Sequence, residues 1–325
     1  MATTDPTMLA ERPLEAPGAS VVEGRTPAEL FRMRFRKDRA AVGAGVFIVL
    51  LVVLAFAAPL VADHVAHHDP NDIFIREMLN DIGLPKGPNA AFWFGADESG
   101  RDVFVRTLYG LRTTLLIAIV ATAISMVIGV VLGVVAGFFR GWVDTTISRA
   151  IEIVLSLPLL LFAIGLAAAC SISDTGCLGG LIQPGLGLVT FIIAAFSWTY
   201  MARIIRGLTL SLREREFVEA SRSLGATNRR IMFREILPNL WAPIIIYGTL
   251  IIPQNILFEA YLSFLGLGVP QTVPSWGRMI SDATDVYQIA WWLMFFPGLF
   301  LLLTTLAFNL LGDGLRDAVD PRSGR

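Results

Sequence analysis

Lys37 and Lys86 are the only lysines in a chain of 325 residues that carries 24 arginines. A phosphate-binding loop needs a lysine followed by serine or threonine at the end of a glycine-rich turn. Asp38 follows the first lysine and Gly87 the second, so neither cradles a nucleotide by that route. The sequence has no Gly-x-Ser-x-Gly elbow and no zinc-protease helix, so no acyl-transfer or metal-hydrolysis centre is expected. His64, His67 and His68 stand beside Asp63 and Asp69 just past an apolar run; solvated side chains are the expectation there, and no metal site. Cys170 and Cys177 have six residues between them. With Asp174 the only other ligand type nearby they make a poor metal set. A disulfide on an oxidising side and two unpaired thiols both remain open.

The elements that carry these residues are apolar. The chain is 54% hydrophobic and 16% charged, with mean hydropathy +0.64, whereas soluble domains carry about 25% charged residues. A membrane-crossing helix needs about 20 mostly apolar residues. Six candidates satisfy this, near Ala41–Ala62, Thr113–Phe138, Ile151–Ser171, Leu186–Ile205, Leu240–Leu265 and Ile289–Leu311. Cationic residues orient them: with the N-terminus inside, 20 of the 26 lysines and arginines fall on the inner side. The reading is an all-α polytopic membrane protein with six transmembrane helices and both termini cytoplasmic. A polar tail, residues 1–40, has no cleavable-signal pattern and reads as disordered or amphipathic. Residues 41–112 hold the first span and a long extracytoplasmic loop, and 113–325 hold a five-helix core with an inner loop at 206–240. A net charge of −1 gives no nucleic-acid reading.

Two features break the apolar pattern. In the fifth candidate span Pro253 is expected to interrupt the helical ladder, and Gln254, Asn255 and Glu259 follow it. A charge at a bilayer centre costs about 2.5–3.5 kcal/mol on insertion scales, so these residues either line a wet pathway or hydrogen-bond to a neighbouring helix. Gly129, Gly133 and Gly137 repeat at four-residue spacing, the mark of close helix packing. In the sixth span, Gly312, Asp313 and Gly314 are expected to stop the helix at the inner membrane face, where the following arginines meet anionic lipid.

The inner loop is the densest charged stretch, with eight arginines from Arg203 to Arg234. Phe217, Ala220 and Leu224 share a helical stripe with Val218 beside it. Gly225 suits a left-handed C-cap. Thr227 can cap a second helix that Pro238 should end. An apolar stripe rimmed by glutamate and arginine marks a protein partner.

Within that loop Glu219-Ala220-Ser221, followed by Gly225 and then Ile236-Leu237-Pro238, resembles the Glu-Ala-Ala signature of bacterial ABC importer permeases, with Ser221 where the family usually has alanine. Trp93–Phe104, Leu262–Gly268, Ser275-Trp276-Gly277 and Asn309–Arg322 resemble the C-type permeases of dipeptide, oligopeptide and nickel importers. These motifs span the chain from about residue 30 to 322. The resemblance implies a type I ABC importer permease fold in the bacterial inner (plasma) membrane, with no catalytic role and no cofactor in this chain. It implies four kinds of partner: a B-type permease, one or two cytoplasmic ATPase subunits that bind ATP and Mg, a solute-binding protein, and membrane lipid. It also implies that Glu219, Ala220, Ser221 and Gly225 dock on an ATPase, to which the apolar stripe adds Phe217 and Leu224, and that the cargo is a peptide, with nickel or glutathione as alternatives. An autonomous secondary transporter is the competing class; it calls for several charges buried in the spans and an internal repeat.

Overall fold

The computed structural model describes residues 27–172 and 185–319. The tail before Pro27, and Cys177 with the question of its pairing, lie outside them. No strand forms among the described residues; two isolated antiparallel bridges, Leu79 with Pro85 and Ala96 with Asp102, stiffen the outer loop.

Helix α1 (Pro27–Lys37) occupies part of the stretch expected to be a disordered or amphipathic tail. Asp38 then accepts hydrogen bonds from the Ala40 and Ala41 amides, at 3.0 and 3.1 Å. That cap closes off the orphan donors of α2 (Arg39–Val61), the first span. On the outer side Asp102 caps α3 (Val103–Phe139) in the same way. This helix has 37 residues, about 55 Å at 1.5 Å per residue, and starts at Val103 rather than near Thr113. The outer excursion is shorter than expected for that reason.

The third candidate span is not one straight helix. Pro158 lacks the amide a helix interior needs, and the chain runs as α4 (Gly141–Ser156) and α5 (Leu159–Ile172), bent by 83° between them. Helix α6 (Leu186–Leu212) follows, then the hairpin helix α7 (Glu216–Ser223), α8 (Trp241–Phe264), the short α9 (Trp276–Asp282) and α10 (Trp292–Val319). Among the described residues five helices are long and apolar enough to cross a membrane, six when the bent pair counts as one span. Pro253 does not break α8, and Gly312 and Gly314 do not stop α10, which continues to Val319. In a bilayer no water competes for backbone hydrogen bonds, so breakers lose much of their force. Gly312 serves instead as a contact surface: a Cβ there would stand 2.5 Å from the Leu250 side chain.

Among the described residues, the three largest-spanning apolar clusters are joined by a fourth at the outer end, where Val103, Met279 and Trp292 link α3, α9 and α10. Of the three, one joins α3, α5, α6 and α8 around Ile117, Ala163 and Ile192; a second joins α2, α3, α8 and α10 around Leu51, Leu111 and Ile256. The third extends from α3 and α6 into the inner hairpin.

Candidate docking site at the inner face

Helix α7 is short because Gly225 ends it. Gly225 has φ +78°, and the Ala226 amide reaches back to the Ser221 carbonyl at 3.0 Å, the wrap expected of a glycine C-cap. Thr227 caps the next turn, its hydroxyl accepting from the Arg230 amide at 3.4 Å. Beyond it the chain runs through a wide π-helical turn, Ile231–Ile236, and stays helical past Pro238 to Asn239, beyond the expected stop. Val218, fully buried, joins Ile231, Met232 and Ile236 in a cluster with Val134, Phe138, Met201 and Ile205. Those four fasten the hairpin to α3 and α6.

The opposite face is bare. Leu224 is 88% exposed and Phe217 37%; Glu219, Ala220 and Gly225 are exposed, and Ser221 is half-buried. Of the six residues assigned to docking by sequence, five are thus exposed on the hairpin and Ser221 is partly covered. A cavity of about 360 Å³ at the turn is lined by Ser221, Leu224, Gly225, Thr227, Arg230 and Glu235, among others.

Side chains that sequence reasoning did not single out brace the hairpin's base. The Arg206 guanidinium grips both Asp144 carboxylate oxygens, Nη2 donating to Oδ2 at 2.8 Å. Arg213 donates to the Phe138 carbonyl at 2.5 Å and lies over its ring, 5.8 Å from the centroid. Arg140 pairs with Glu214. Burial holds the Arg213 guanidinium below its ordinary pKa, with repulsion from Arg140 and Arg222 adding to it. The only sequence signal for the Asp144–Arg206 pair is that Asp144 is the single acid between Arg140 and Arg149.

The pathway candidates separate. Gln254 is exposed. Asn255 is buried, donating to Thr122 Oγ1 at 2.8 Å and accepting from Ser197 Oγ at 2.7 Å. Glu259 is fully buried, accepting from Thr114 at 3.0 Å and Ser263 at 2.7 Å. It is therefore closed off from solvent, with a neighbouring-helix partner in Thr114 of α3.

On the outer face His68 is not solvated as expected. It bonds to Asp102 at 2.8 Å and forms a three-ring cluster with Phe74 and Phe92, at 4.5 and 4.6 Å. The Nδ1 atoms of His64 and His67 instead sit within hydrogen-bond distance of the Leu60 and Asp63 carbonyls. Arg106, buried, donates to the Pro70 and Gln271 carbonyls, at 3.0 and 3.2 Å, tying the two outer loops together. Next to it a polar cavity of about 400 Å³ includes Glu98, Asp282 and Asp285. Burial first, then the charges of Asp285, Asp282 and Asp97, push the Glu98 carboxyl above its usual range.

The profile of the binding-protein-dependent transport system inner membrane component family matches residues 129–325. That of the N-terminal transmembrane domain of oligopeptide transport permease C matches residues 26–81. The dipeptide transport system permease protein DppC of Bacillus subtilis is 40% identical over 294 residues, 90% of this chain and 85% of that one. The oligopeptide transport system permease protein OppC of Escherichia coli is 38% identical, covering 93% of each chain. The glutathione transport system permease protein GsiD of Pectobacterium atrosepticum is 38% identical, covering 92% of each. Among solved structures, an inward-facing MetNI methionine ABC transporter matches with TM-score 0.54 and 20% identity, over 66% of this chain and 96% of that one. This last likeness is one of fold.

Proposed function

The chain belongs to the family of binding-protein-dependent transport system inner membrane components, and we propose that it forms half of the translocation path of an ATP-driven peptide importer. The other half would come from a homologous B-type permease. Cytoplasmic ATPase subunits would bind ATP and Mg²⁺ and grip the inner hairpin, and a solute-binding protein would deliver cargo from outside. The relatives named for dipeptides, oligopeptides and glutathione favour a peptide-class cargo; a nickel complex is the remaining alternative. On this reading no residue here is catalytic.

One observation carries the proposal: Leu224, 88% exposed, sits on a hairpin whose other face is buried against α3 and α6. A large apolar side chain presented to the cytoplasm on a braced support suits a groove on a partner. Gln254, Asn255 and Glu259 enter as candidates for the path, with Gln254 the one whose side chain is open.

The test compares the intact assembly in proteoliposomes with Leu224→Asp and Gly225→Val. A charge at an interface anchor costs about 2 kcal/mol or more, so Leu224→Asp should weaken ATPase retention by over tenfold. Valine at φ +78° is strained and should uncouple hydrolysis from uptake. Wild-type retention and coupling in both variants would sink the proposal, and so would peptide uptake by vesicles lacking any ATPase subunit. That last result would favour an autonomous secondary transporter.

A further inference from the structure

We propose that the inner end of the bundle binds one anionic phospholipid of the cytoplasmic leaflet, with an acyl chain in a cleft between α1, α8 and α10 and the headgroup against the basic face of α1. The site is independent of what the chain transports.

The cleft measures about 550 Å³, within the range of roughly 300–1,000 Å³ usual for small-molecule sites. Its walls are stripes at helical spacing: Leu30 and Phe31 from α1, Ile245 and Ile246 from α8, Leu315 and Val319 from α10. Such walls give water almost nothing to bond to. The Arg34 guanidinium is the only charged group among the lining residues, and the Trp241 indole is the other polar one. Trp241 is 57% exposed at the first residue of α8, the level where tryptophan favours the headgroup region. The start of α8 and the end of α10 both lie at the inner membrane face, so the cleft opens among inner-leaflet lipids.

Charge then selects the headgroup. Arg32, Arg36 and Lys37 are exposed on α1, and exposed Arg39 follows on α2. Of the acids here, Glu29 stands in the first turn of α1, and Asp38 is engaged in capping α2; with Arg34 the stretch 29–39 still holds five cations to two acids. At the same level α10 contributes Arg316 with Asp313 and Asp317, so the cationic excess comes from α1. Four to eight basic residues immediately cytoplasmic of a membrane helix attract anionic headgroups. Apolar walls beside a cationic rim require an occupant that is apolar along most of its length and anionic at one end. An anionic phospholipid has that form.

The experiment uses the intact chain in its complex, reconstituted in membranes of equimolar phosphatidylglycerol and phosphatidylethanolamine. After gentle extraction, the lipids retained per chain are counted by native mass spectrometry. Phosphatidylglycerol should be retained in preference. The Arg32→Gln/Arg36→Gln/Lys37→Gln variant should lose that preference by about fivefold per charge removed. Ala242→Phe, which places a ring among the lining residues, should reduce retention of both lipids. Equal retention of the two lipids by the native chain, or a preference that survives the triple variant, overturns the proposal. Unchanged retention in Ala242→Phe also overturns it. If Ala242→Phe fails to assemble, the charge variant decides. A chain lacking residues 1–25 that retains more lipid would make the tail the natural occupant and overturn it too.

Discussion

Asn255 and Gln254 are neighbours in sequence with opposite surroundings. The amide of Asn255 is shared between Thr122 and Ser197, on helices α3 and α6, while Gln254 is exposed. Hydrogen bonds between membrane helices average about 0.6 kcal/mol each, so Asn255→Leu should cost about 1 kcal/mol, read as a lower unfolding midpoint in detergent. If Asn255 instead lines the path, uptake would fall with no change in that midpoint. Glu259 follows the same logic at larger stake, since both its carboxylate oxygens accept a hydroxyl hydrogen bond. The sequence shows that these residues are polar but not where they point. In an apolar run with no polar face, helical periodicity has nothing to contrast against, and apart from Ser263 the partners lie about 60 to 145 residues away in the chain.

At the scale of elements, the pairing of α3 with α6 rests on Gly129, Gly133 and Gly137. A Cβ at Gly133 would stand 2.7 Å from the Ala202 carbonyl oxygen, and one at Gly137 2.7 Å from Thr209 Cβ. Gly133→Ala should therefore force the helices apart and cost about 1–3 kcal/mol. Gly207→Ala, where a Cβ meets nothing within 4 Å, should be neutral or stabilising by up to about 1 kcal/mol. Thermal melts of the two variants in one detergent check the contrast. The glycine stripe is legible in sequence because its spacing and its physical cause coincide, and the inner hairpin is legible because charge and amphipathic pattern agree at Phe217, Leu224 and Gly225. Two of the misreadings share one source. Pro253 and Gly312 break helices in water but persist inside helices shielded from it, whereas Pro158 sits at a real bend of 83°.

Across the whole molecule, Asp144 with Arg206 ties α4 to α6, and Arg213 ties the end of α6 to α3 at the base of the hairpin; on the proposed function, displacement at the tip would pass to the spans through these ties. Asp144→Ala removes a partly exposed pair worth about 1 kcal/mol. It should leave ATPase subunits bound while reducing solute moved per ATP hydrolysed about fivefold, the factor that energy represents. Paired assays of uptake and phosphate release on the same vesicles measure this; an unchanged ratio would assign the brace to stability alone. The exposed leucine at the turn has a consequence for the life of the chain before assembly. A newly made copy with nothing over that greasy knob offers proteases and chaperones a handle in the cytosol. If an ATPase subunit covers the knob, as proposed, survival of the new copy would depend on how soon that subunit arrives, and its abundance would follow the rate of that subunit's synthesis.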